Sequence, residues 1–217
     1  MAVIHRTTME PGKLELLGAW LPTRPWYAGT GEPRLDRAGG FRLDDPRGEV
    51  GIELMVVTDA SGDRPVAYQV PVTYRGAPLE GADDALIGTS EHGVLGRRWV
   101  YDAAHDPVFV AQALALLRGR AEPQAQSVSD TPDPAVTVVP AGDGPSDLGA
   151  STARDGKDRT DILLDGATLV VSRVLGAGEP AGARGHVGAP WRLPDGGEAQ
   201  GRFLALFDGA AQPPAQG

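Results

Sequence analysis

The chain has no cysteine, no asparagine and only two lysines, Lys13 and Lys157, among its 217 residues. Without cysteine there is no disulfide framework, no thiolate metal site and no Cys nucleophile. Without asparagine, a kinase-type catalytic loop lacks the side chain that holds magnesium behind its Asp base. Neither lysine suits a phosphate-anchoring strand: Lys13 falls in a helical pattern and Lys157 in a Pro/Gly-rich stretch. A GxxxxGK[ST] loop is also missing. No apolar run approaches the roughly 18 residues that read as a membrane span. The opening MAVIHRTTMEPGKLELLGAW shows no apolar core behind a basic start, so no signal peptide is read and a cytoplasmic protein is expected. Basic side chains are scarce, 20 against 29 acidic ones, giving a net charge of −9 and a pI near 4.9. Such a chain repels phosphate backbones, so neither nucleic acid nor an anionic membrane is an expected partner.

What is present is enough for a core. Hydrophobic residues make up 41% of the chain, but 30 Gly and 19 Pro punctuate it, so folded parts and loose segments are both expected. Residues 1–128 read as one α+β unit. Val3–Thr7 is a candidate strand, followed by a helix carrying Leu14, Leu17 and Leu21 and stopped by Pro22 and Pro25. Gly29–Gly40 reads as a loop. Val50, Ile52, Leu54 and Val56 then alternate with Gly51, Glu53 and Met55, the period of a strand with one buried face. Its hairpin partner alternates Val66, Tyr68, Val70, Val72 and Tyr74, and Pro71 predicts a free edge or a bulge there. A second pair, Ala85–Thr89 and Arg97–Asp102, leads to a helix with Asp106 as N-cap, Pro107 in its first turn and Gly119 beyond its end. Phe109, Val110, Ala113, Leu114, Leu116 and Leu117 share one side of that helix. Residues 129–160 read as a flexible Pro/Gly/Asp-rich linker with room for one short strand, 161–208 as a small β module and 209–217 as a tail. Within that module an Asp165-Gly166 turn joins two strands.

Near matches to known chemistry fail on spacing. Gly176–Gly182 is GxGxxxG with Pro180 inside it, and Gly88–Gly93 has one residue too many for a nucleophile elbow. The histidines at 5, 92, 105 and 186 have no metal-ligand spacing, and Asp83-Asp84 reads as a solvated turn. No catalytic residue, cofactor or metal site is predicted. Two aromatic groups remain: Trp20, Trp26 and Tyr27 around two prolines, and Trp99 beside Arg97 and Arg98. Rings beside arginine suit a sugar-stacking or partner-binding surface, but in a domain with so few aromatics they are first expected to plug the ends of a small core.

Trp20-Leu21-Pro22-Thr23-Arg24-Pro25-Trp26-Tyr27-Ala28-Gly29 resembles the opening signature of the maltokinase N-terminal cap domain. Val66–Arg75, the Ala85–Gly88 strand start and Trp99–Leu117 resemble further pieces of that cap, in the same order. The resemblance implies a cystatin-like fold, a curved antiparallel sheet around a helix. Thr160–Leu175 looks like the start of the intermediate subdomain, where the family carries a strand ending in a lysine that approaches ATP; here that place holds Ser172. The catalytic lobes have no counterpart in this sequence. The resemblance therefore implies a non-catalytic accessory or regulatory protein with a protein partner, a kinase or an α-glucan enzyme, in maltose, trehalose or α-glucan metabolism. Two alternatives stand beside it: an α-glucan-binding module using the rings above, and a degenerate or split ATP-dependent sugar kinase.

Overall fold

Two alternating runs, Val50–Val56 and Val66–Tyr74, pair as antiparallel strands at the centre of the molecule, and their register decides which faces are buried. The computed structural model describes residues 8–142, 151–176 and 181–209. In chain order the strands are β1 (Met9–Glu10), β2 (Leu35–Leu43), β3 (Gly51–Asp59), β4 (Val66–Arg75), β5 (Leu86–His92) and β6 (Gly96–Asp102). They continue with β7 (Thr137–Val139), β8 (Thr152–Asp155), β9 (Arg159–Leu164), β10 (Ala167–Ser172), β11 (Gly185–Arg192) and β12 (Glu198–Asp208). Among the described residues two α-helices accompany them, α1 (Lys13–Trp20) and α2 (Pro107–Leu117). The fold is α+β. Its sheet runs β1-β5-β6-β4-β3-β2-β11-β12-β10-β9-β8, with β7 on β11. The expected strand at Val3–Thr7 lies outside the described residues, as does the tail beyond Gly209.

Leu54 sits opposite Pro71 and Met55 opposite Val70. Opposed residues share a face, so the two alternating sets of the hairpin point to opposite sides of the sheet. Ile52, Leu54 and Val56 join the α2 residues Phe109, Val110, Leu114 and Leu117 in the larger core. Tyr68, Val70 and Val72 join Met55, Val57 and the α1 residues Leu17 and Trp20 in a second. Every residue of β3 from Ile52 to Asp59 is buried. The expectation of one buried face is thus corrected: helices on both sides bury both. α2 forms as its signals dictate. Asp106 accepts from the Val108 N–H at 2.9 Å, Pro107 takes the first turn, and Gly119 adopts φ 67° beyond the C-terminus.

Three expectations need correction. The stretch read as a loop to Gly40 becomes strand at Leu35, paired with β3 on both sides of a bulge between Arg37 and Gly39. The edge at Pro71 is not free. Val72–Arg75 pair with β6, while Gln69 N–H donates to the Arg173 carbonyl (2.9 Å) and Leu175 N–H to that of Ala67 (2.8 Å). Pro71 stands where the edge changes partners, the one place that needs no donor. Third, the turn expected at Ser90–Gly93 moves on to residues 93–95, since β5 continues to His92.

Within residues 129–160 lie β7 and β8, and Gln124 bridges both Arg42 and Pro132. β9–β12 share the α2 core: Leu169, Val171, Val187, Trp191 and Phe203 pack with Phe41 and Phe109. Phe41 and Phe203 stack at 5.9 Å. Because residues 173–175 return to β4, hydrogen bonding runs from β4 through β3, β2, β11, β12 and β10 back to β4.

Candidate functional site

The six residues singled out from the sequence do not converge. α1 ends at Trp20, and the following 3-10 turn, Leu21–Thr23, carries Pro22 and is tied back by the Thr23 hydroxyl to the Trp20 carbonyl at 2.7 Å. That turn swings both tryptophans inward. Trp20 is 6% exposed and Trp26 1%. Trp26 packs edge-on to Trp20 (5.7 Å) and tilted on Tyr68 (5.9 Å), with Tyr27 beyond at 5.6 Å from Tyr68. These tryptophans are core, and only half-buried Tyr27 keeps accessible surface.

Trp99 belongs elsewhere. Its neighbour Val100 packs into the Trp20/Trp26 core, so strand alternation turns Trp99 and Tyr101 to the other face, over Ala82, Ala85 and Leu86. Exposed Arg97 pairs with exposed Glu91 at 2.8 Å, and Arg98 donates to the Leu95 carbonyl. An exposed pair of that kind adds little stability.

Two buried carboxylates, Glu53 and Asp59, lie on the α1 side and a third, Asp45, in the loop between β2 and β3, and each has its oxygens occupied. Glu53 receives Lys13 Nζ (2.5 Å), Tyr74 OH (2.7 Å), Arg37 Nη2 (3.1 Å) and Gln126 Nε2 (3.2 Å). Burial pushes its pKa up, but Lys13, Tyr74 and Arg37 together bring it below the ordinary range. Asp59 accepts from Tyr27 OH at 2.7 Å, from the N–H groups of Arg34 and Ser61, and from the Ser61 hydroxyl. Burial again opposes, and these bonds again win. The Tyr27 hydroxyl is correspondingly pushed up to about 12, first by burial and then by its bond to Asp59. Asp45 is held low by the N–H groups of Arg47, Val50 and Glu49 against the opposing effect of burial.

A pH dependence follows. All three carboxylates are more acidic folded than unfolded, so their stabilisation is full above an ordinary carboxylate pKa of about 4 and is lost as pH falls below it. Thermal melts should be level from pH 6 to pH 7.5 and decline steeply below about pH 4. A melting temperature unchanged between pH 6 and pH 3 would contradict this charge arrangement.

In each of these clusters the carboxylate oxygens serve donors that fix the fold. The cavity under α1, lined by Lys13, Leu17, Met55, Val72, Tyr74 and Val100, holds about 10 Å³. That is room for one water. Among the described residues no group of three or more His, Asp or Glu side chains is placed to hold a metal. No described helix is long and apolar enough to cross a membrane.

The residue that sequence reasoning missed is Arg173. It is wholly buried and directly follows Ser172, the place where the family resemblance expects a lysine. Its Nη2 donates to both carboxylate oxygens of Asp102, at 2.8 and 2.6 Å, and its Nε to Thr160 Oγ1 at 2.7 Å. The guanidinium lies 5.0 Å from the Trp26 ring. A signal was available: one charge inside the apolar run Leu169–Leu175 requires a buried acid, though nothing local names Asp102.

Residues 20–106 match the family model of the maltokinase N-terminal cap domain. The match covers less than half of the chain, from the last residue of α1 to the N-cap of α2. It includes Trp26 and Asp102, and stops short of α2 and of β10, which Arg173 follows.

Proposed function

We propose that this chain is a cytoplasmic, non-catalytic accessory module that acts through a protein partner in maltose, trehalose or α-glucan metabolism. The observation that carries the reading is the cap-domain match at residues 20–106. Supporting it, the strand expected to offer a lysine to ATP ends in Ser172, and the adjacent cation is consumed by Asp102. A cystatin-like wrapping of the sheet around α2 belongs to the same reading. The partner's surface lies away from the β4 edge, since residues 173–175 and β6 already occupy it.

Thermal-shift measurements test it, with ATP–magnesium, maltose, maltose 1-phosphate and maltotetraose at millimolar concentration. A ligand at a hundred times its Kd stabilises the folded state by about 2.7 kcal/mol, an easily read shift. No shift is expected with any of the four. A shift with ATP would establish a kinase-like role instead, and a shift with either sugar a carbohydrate-binding module. Affinity purification of the tagged chain should recover an enzyme of this metabolism, and recovery of none would count against the partner.

A further inference from the structure

We infer that Arg173 is a latch that makes the family-matched segment and the C-terminal strands open and close as one unit. The inference stands apart from the proposed function, because it concerns only how the chain is held together.

Four of its contacts cross between the two regions. The guanidinium grips Asp102 at the end of β6 with two bonds and lies against Trp26, both in the matched segment. Its own carbonyl accepts from Gln69 on β4, and two residues later Leu175 donates to Ala67. Gln69 is itself wholly buried between the Ser172 and Phe203 carbonyls, and its amide nitrogen turned toward them lies 2.9 and 3.0 Å away. On the C-terminal side, Thr160 relays the network. Its Oγ1 accepts from Arg173 Nε and donates to Asp155 on β8 at 2.5 Å. On the matched side, Asp102 also accepts from the Ala104 N–H at 3.2 Å, at the turn leading into α2.

A polar chain thus runs from β8 through β9 and the end of β10 to the entrance of α2. Arg173 and Thr160 are 0% exposed and Asp102 1%, so separating the two regions would strand a guanidinium and a carboxylate in apolar surroundings. No intermediate state with the C-terminal strands detached and the matched segment intact is accessible at low cost. Binding at one region is therefore transmitted as stability to the other.

The test is native-state hydrogen exchange on the full chain, comparing the slowest amides of β3 (Met55, Val57) with those of β12 (Leu204, Leu206). In the wild type both groups should exchange through the same opening. In Arg173→Met the two groups should part, β12 losing protection on the order of a hundredfold more than β3, because detaching the C-terminal strands no longer strands a guanidinium. Should that variant not fold, Arg173→Lys keeps the charge but cannot make the two-oxygen grip and the Thr160 bond at once, and the unequal loss is read there. Double replacement Asp102→Leu/Arg173→Met, which leaves no charge unpaired, should recover part of the protection of β3 while β12 still opens ahead of it. The inference is overturned if β3 and β12 lose protection equally in either Arg173 variant, since the two regions would then stay coupled without the latch. Two separate openings in the wild type would overturn it as well.

Discussion

Leu114→Asp abolishes the cooperative unfolding transition. Leu114 is 2% exposed and sits on the inner side of α2, in the core that also holds Ile52, Leu54 and Phe203. Removing a buried leucine costs about 2–5 kcal/mol through lost burial and the space left behind. The carboxylate adds an unpaired charge in an apolar setting, which either ionises at a further cost of several kcal/mol or takes up a proton. A domain typically has about 5–15 kcal/mol of total stability, so the two losses together consume most or all of it. The effect is compounded by position. α2 touches residues of the matched segment and residues of β9–β12 in one core, so its failure removes support from both. Circular dichroism across a thermal scan should show a broad, low-amplitude change in place of a transition. A variant melting within a degree or two of wild type would refute the placement of α2.

The α2 helix was legible because its information is local: an N-cap, a proline, a glycine stop and an apolar side within about a dozen residues. The β3–β4 hairpin was legible for the same reason, as far as its strands and turn. Which faces they bury was not. That depends on register, and a one-residue difference in pairing sends an alternating set to the opposite side. The β4 edge was misread because its cover comes from residues 173–175, a hundred positions along the chain. The Arg173–Asp102 pair was invisible for a like reason, being 71 residues apart in sequence. The tryptophans were legible as core rings only by their scarcity. Ring chemistry suits a surface or a core, and only the turn after α1, closed by the Thr23–Trp20 bond, sends Trp20 and Trp26 inside.

β2 was lost to its own glycines, and they give the second large effect. Gly40→Ala should destabilise the chain by at least about 2–3 kcal/mol, through a backbone conformation that side chains avoid and a collision that has nowhere to go. Gly40 holds φ 113°, in the region that favours glycine, and a Cβ placed there would lie 2.0 Å from the Leu54 carbonyl oxygen. That oxygen is backbone of β3, whose side chains fill both cores, so it cannot give way without moving Leu54 and Met55. The bulge that places it lies just before, where the β2–β3 register shifts between Arg37 and Gly39, and Gly39 pairs with Trp191 on β11. Relaxing the collision would therefore also disturb the one rung by which β2 joins the C-terminal strands. Gly48→Ala is the control. Gly48 has φ 68°, and nothing lies within 4 Å of an added Cβ, so only the conformational penalty of about 1–2 kcal/mol applies. Urea denaturation of the two variants separates the contributions, since the slopes should match and only the midpoints differ. If Gly40→Ala unfolds at the midpoint of Gly48→Ala or above it, β2 does not run against β3 in this register. The Trp191–Gly39 join would then lose its footing, because the bulge exists only in that alignment.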